Sequence, residues 1–163
     1  MDRKKLFIVG FMGSGKSHIG RCLANSLGLE HYDLDFLLEK KCMLSIKDIF
    51  RTYGEKRFRF LERDVLLSSP DSGVISTGGG VVISPKNRAY LQKQFVILLN
   101  PPWEIIYERI KKSNRPLVKK HNQQELFQIF QQREKLYREV ANFSVDDIKE
   151  EDIISKILKL IDK

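Results

Sequence analysis

"GFMGSGKS", Gly10 to Ser17, sets glycines, a lysine and a hydroxyl at the spacing GxxxxGK[ST]. Residue types in this order suit a bound phosphate chain. Gly10, Gly13 and Gly15 allow backbone N–H groups to turn toward one anion, Lys16 adds a point charge for the outer phosphates, and Ser17 offers a hydroxyl to magnesium. A phosphate loop specifies a donor but leaves the acceptor open. "YDLDFL" sets Asp33 and Asp35 two apart just after a short candidate strand. In extended geometry both carboxylates would point to the same side, where they could meet a magnesium-bound water and a substrate hydroxyl, or simply solvent at a surface turn. "STGGGVV" adds Gly78, Gly79 and Gly80, three positions at which a ligand could lie directly against the backbone.

These groups can work together only if strands and helices bring them to one edge. The apolar runs Leu6 to Gly10, Gly73 to Thr77 and Phe95 to Leu99 read as strands covered on both faces, with weaker candidates at Glu30 to Asp33 and Asn142 to Asp146. Helical spacing predicts Lys16 to Leu27, Leu37 to Lys41, Ser45 to Arg51, Gly54 to Leu67, Trp103 to Lys111 and Gln123 to Val140. A terminal helix follows, with Ile154, Ile157, Leu158 and Ile161 on one stripe. Strands alternating with helices predict a mostly parallel sheet in an α/β layer fold. Gly10 to Ser17 then falls between a strand and a helix, as a phosphate-binding loop requires, so the helix turns its positive end toward the anion. The three glycines fall at the carboxyl end of another strand, where open α/β sheets bind ligands.

A chain of 163 residues predicts one domain spanning 1–163. "LFIVGF" is interrupted by Gly10 and is too short for a signal peptide or membrane span, so a cytoplasmic protein with no membrane partner is expected. Cys22 and Cys42 form no CxxC or zinc-ligand spacing, and the three histidines form no HExxH. The net charge of +8 is unevenly spread: "KKSNRPLVKKH", Lys111 to His121, has five cations and no acid. Such a segment suits a loop closing over phosphates or a solvated face.

In their order and separations, "GFMGSGKSHIG", "YDLDFLLEKK", "SIKDIFRTYGEKRFRFLE", "STGGGVV", "NRPL" and "REKLYREVA" resemble the shikimate kinases over nearly the whole chain. The resemblance implies a three-layer α/β sandwich with a five-stranded parallel sheet, of the P-loop nucleoside triphosphate hydrolase-like fold. It implies a substrate-binding helical region at about 34–62 and a lid at about 111–123. The implied reaction carries the γ-phosphate of ATP, with magnesium, to the 3-hydroxyl of shikimate, in the biosynthesis of aromatic amino acids. The implied nucleotide set is Gly13, Ser14, Gly15, Lys16, Ser17, His18, Arg109 and Arg115, with Arg109 against adenine. Ser17 and Asp33 would orient the metal. Shikimate would meet Asp35, Arg59, Gly78, Gly79, Gly80 and Arg133, the two arginines on its carboxylate and Glu62 behind Arg59. Lys16, Asp35 and Arg115 form the implied catalytic set, with Lys119 and Lys120 as solvated lid charges. ATP and shikimate are the implied partners of a monomer.

Alternatives differ in kind. Gluconate or adenylylsulfate kinases share the loop but should lack the combined DxD, FR, GGG and RxxxY set. A non-catalytic ATP switch would keep Lys16 without Asp35. Nucleic-acid binding would want a basic face with interleaved aromatics. Phe58 and Phe60 flank Arg59, but helical spacing turns part of that stripe toward a core, and no nucleic-acid partner is expected.

Overall fold

Leu6, Phe7, Ile8 and Val9 are all fully buried, and their alternation decides how the molecule is layered. In a computed structural model describing residues 5–161, β1 (Lys5–Val9) is the middle strand of a five-stranded sheet. The order is β2-β3-β1-β4-β5, with β2 His31–Asp33, β3 Gly73–Ser76, β4 Val96–Leu99 and β5 Phe143–Val145. Every pairing is parallel, with Ile8 opposite Ser76 on one side and Ile97 on the other. Parallel neighbours need crossovers, and helices supply them.

Alternate residues of each strand enter different cores. Leu6, Ile8, Val74, Ile97 and Leu99 pack against α1 (Lys16–Leu27) and α8 (Glu150–Ile161). Phe7, Val9, Ile75, Val96 and Leu98 face the opposite layer, built mainly from α3 (Ile46–Leu67), α5 (Trp103–Ile110) and α7 (Gln123–Val140). The expected three-layer α/β arrangement is therefore what forms, with strand limits within a residue or so of the apolar runs.

Three departures bear on the site. The extended Asp33–Asp35 pair is not found: β2 ends at Asp33 and α2 (Leu34–Cys42) begins at once. Asp33 is its N-cap, accepting the Asp35 and Phe36 amides at 3.0 and 3.3 Å, so Asp35 sits in the first helical turn. The cap satisfies orphan N–H groups, and this local gain outweighs continued extension. Second, a 3-10 turn (Val81–Ile83) and α4 (Pro85–Leu91) follow the glycine run, where no helix was anticipated. They are too short to show a clear period. Third, the basic segment is not all loop, because α6 (Pro116–Lys120) starts with Arg115 as its N-cap residue. The helices expected before and after residues 52–53 are joined end to end in α3, with non-helical geometry at Gly54.

Candidate active site

The loop leaving β1 is shaped by positions that only glycine fills. Gly13 has φ +79, and a Cβ there would lie 2.5 Å from the Ile110 Cγ2 atom. Gly15, at φ +94, is the N-cap residue of α1. The chain thus turns tightly into the helix and leaves amides directed at the space before it. Ser14 donates its amide to the Phe11 carbonyl at 3.1 Å, while its buried Oγ has no protein partner. Lys16 folds back over the loop, its Nζ 2.9 Å from the same carbonyl. Burial pulls the Lys16 ammonium down to about 8; Asp35 and Asp33 oppose that shift, and Arg115 and Arg133 add to it.

Ser17, one residue into α1, donates from Oγ to Asp33 Oδ2. The same carboxylate caps α2 through Oδ1, so one side chain ties the ends of β1 and β2 together. Asp35 is half-buried: desolvation and Asp33 push its pKa up, while Lys16 and Arg115 oppose the shift. A Cβ on Gly78 would come within 2.7 Å of Asp35 Oδ1. The glycine run consequently brings bare backbone against this carboxylate.

On the other side stand two guanidinium groups. Arg59 pairs with buried Glu62 at 2.8 Å and reaches Glu55 at 3.5 Å. Desolvation raises Glu62 even though Arg59 opposes it. Arg59 also lies over the Phe58 ring at 5.1 Å, and its buried Nε has no protein partner. Arg133, on α7, donates to the Gly79 carbonyl at 3.4 Å and lies 5.7 Å from the centre of the Phe11 ring. Tyr137, one turn further, donates its hydroxyl to that same carbonyl. Gly80 packs against the Arg59 guanidinium closely enough that a Cβ would collide with it.

Two adjoining clefts result. The larger, about 570 Å³, contains Gly13, Ser14, Gly15, Lys16, Ser17, His18, Arg109 and Arg115. Arg109 donates to the Gly13 carbonyl at 3.0 Å, and His18 meets Glu150 at 2.5 Å. The smaller, about 330 Å³, contains Arg59, Glu62, Gly78, Gly79, Gly80 and Arg133 beside Ile46, Phe50 and Phe58. Met12, Asp35, Gly79 and Arg115 line both. Asp33 lines neither cleft's wall and acts beneath it through Ser17.

Sequence reasoning had not assigned Pro101, Asp147 and Ile148 to the larger cleft, nor Leu117, Lys120 and His121 to the smaller. Asp147 and Ile148 follow β5 at the sheet's carboxyl edge, and that position was the available signal. Lys119 and Lys120 are both exposed, but Lys120 also borders the smaller cleft and is therefore not purely a solvated charge.

A phosphate loop at a β1–α1 turn, opening beside a second cleft with a desolvated carboxylate between them, defines a P-loop phosphotransferase. The family model described as "Shikimate kinase" matches residues 12–162. A shikimate kinase of Enterococcus faecalis is 39% identical over 163 residues, covering 96% of this chain and 97% of its own. The solved shikimate kinase of Acinetobacter baumannii, in complex with shikimate, is 37% identical with a TM-score of 0.91, covering 98% of this chain and 93% of the other. A gluconokinase structure from Sinorhizobium meliloti 1021 is 16% identical with a TM-score of 0.59, covering 96% and 90%; it shares the fold. The chain belongs to the shikimate kinase family.

Proposed function

We propose that this protein transfers the γ-phosphoryl group of ATP to the 3-hydroxyl of shikimate, giving shikimate 3-phosphate and ADP. The observation carrying this reading is that Asp35, Gly79 and Arg115 line both clefts, between a phosphate loop on one side and paired guanidinium groups on the other. ATP would occupy the larger cleft, its phosphates against the amides of residues 13–17. Arg109, His18 and residues 147–148 would face its nucleoside end. Shikimate would occupy the smaller cleft with its carboxylate between Arg59 and Arg133, whose planar forks suit that group.

Ser17 Oγ and Asp33 Oδ2 are adjacent hard oxygen donors and fit a small divalent cation. Magnesium held there would neutralise charge on the outer phosphates. Glu62 would fix the direction of Arg59, and Tyr137 would fix the Gly79 carbonyl at the junction. Asp35 would orient the attacking hydroxyl and accept its proton as the oxygen–phosphorus bond forms. Burial raises its proton affinity, which favours that step. The bond from the γ-phosphorus to the bridging oxygen breaks, and its electrons leave with ADP. Lys16 and Arg115 would stabilise the negative charge on the transferring group from two sides.

Incubation with ATP, magnesium and an equimolar mixture of shikimate, gluconate and adenylylsulfate tests this reading. Shikimate 3-phosphate should dominate the products, identified by mass and phosphorus resonance. Faster turnover of either competitor would overturn the assignment. Asp35→Asn should retain ATP binding and lose most turnover, because an amide cannot take the proton; near-normal kcat would remove Asp35 from the chemistry.

A further inference from the structure

We propose that His18, Cys22 and Glu150 form a binding site for a thiophilic divalent cation, zinc being the best fit, which fastens α1 to α8 beside the larger cleft. His18 and Cys22 lie four residues apart on α1 and therefore share one face of that helix. Glu150 is the first residue of α8, which packs on α1 through the core beneath. Their ligand atoms lie within 4.8 Å of one another. His18 Nε2 is 2.5 Å from Glu150 Oε2 and 4.0 Å from Cys22 Sγ.

Tetrahedral zinc with bonds of roughly 2.0 to 2.3 Å separates its ligand atoms by roughly 3.4 to 3.6 Å. The nitrogen–oxygen pair must therefore open by about an ångström and the nitrogen–sulfur pair close by about half of one. Side-chain rotation can supply both, since His18 and Glu150 are exposed, Cys22 is half-buried, and the two helices fix the backbone. Three ligands of imidazole, thiolate and carboxylate leave a fourth position for water.

Access is also built in. His18 and Glu150 border the larger cleft, whereas Cys22 and Glu150 border a separate recess of about 460 Å³ between α1 and α8. A cation can enter from either side. The donor set separates this site from Ser17 and Asp33, which offer oxygen alone: magnesium prefers the latter, and a softer cation prefers the thiolate. Binding converts Cys22 S–H to a sulfur–metal bond and releases one proton to solvent. Because Asp147 and Ile148 line the cleft immediately before α8, the cation would anchor that segment.

The test is titration of the whole protein with cobalt(II) in excess magnesium, which occupies oxygen-only sites. A 1:1 complex with a thiolate-to-cobalt charge-transfer band and tetrahedral d–d absorption is expected, and zinc should displace the cobalt. Cys22→Ser should abolish the charge-transfer band and weaken binding by more than the roughly 10- to 100-fold that losing a mere supporting partner costs. Glu150→Gln should keep the band and bind more weakly. Circular dichroism establishes that both variants are folded. A wild-type spectrum without the band, persistence of the band in Cys22→Ser, or unchanged affinity in Glu150→Gln each overturns the three-ligand site.

Discussion

Arg59 and Arg133 approach one small cleft differently, and the difference bears on what each contributes. Arg59 is held by a buried carboxylate, whereas Arg133 rests on an aromatic face and a carbonyl. Charge-assisted bonds from either to a ligand carboxylate contribute roughly 1.5 to 3 kcal/mol. Arg59→Ala or Arg133→Ala should therefore weaken shikimate about 10-fold to 150-fold and leave ATP unchanged, read by titration calorimetry with each ligand. A defect confined to ATP would refute their placement. Lys16 makes a second, pH-dependent expectation. Its folded value of about 8 lies below the ordinary 10.5. Between these values the unfolded chain holds a proton that the folded chain lacks, so this group's contribution to stability rises with pH through that window; below it, keeping a buried charge is a cost. Phosphates restore an opposite charge, so ATP binding at about pH 9 should absorb close to one proton, and at about pH 7 much less. Calorimetry in buffers of different ionisation enthalpy measures this, and equal uptake at both pH values would contradict it.

At the scale of elements, α6 and Gly54 carry the sharpest expectations. Arg115 precedes α6 as its N-cap residue, is exposed, and borders both clefts, so under the proposed reaction it would meet the transferring group only once residues 111–123 close over it. Arg115→Ala should lower kcat on the order of 100-fold with little change in either substrate's affinity. Lys119→Ala, outside both clefts, serves as the comparison and should be nearly silent in steady-state kinetics; equal damage from the two would reduce the segment to a basic surface. Gly54 has φ 76 and ψ 174 inside α3, yet a Cβ there would meet nothing within 4 Å. Gly54→Ala thus isolates backbone strain and should cost about 1 to 3 kcal/mol in urea unfolding at unchanged slope. A neutral result would mean that the bend is not required. The sequence already separated the helices around Gly54, because the periodicity breaks there. It also located the loop and the glycine run, whose types and spacing are local properties, whereas Arg59 and Arg133 came only from the family resemblance. Asp35 was found with the wrong backbone, since a short polar segment cannot reveal that Asp33 will turn inward as a cap. Ile148 was missed because its relevance arises only when distant strand ends meet, and His121 because α6 brings it beside α3 only in the folded chain.

Over the whole molecule, one parallel sheet separates two apolar layers and gathers the ends of β1, β2, β3 and β5 along a single rim. Among the described residues no helix is long and apolar enough to cross a membrane. The clefts along the rim share Met12, Asp35, Gly79 and Arg115 as a common wall. Clefts that adjoin across only these four residues suggest a single synthetic molecule that reaches over them into both spaces. A nucleoside polyphosphate tethered to a cyclic hydroxy acid would make its second contact intramolecularly, and a linker matched to the span could exceed either half's affinity by roughly 10²- to 10⁴-fold.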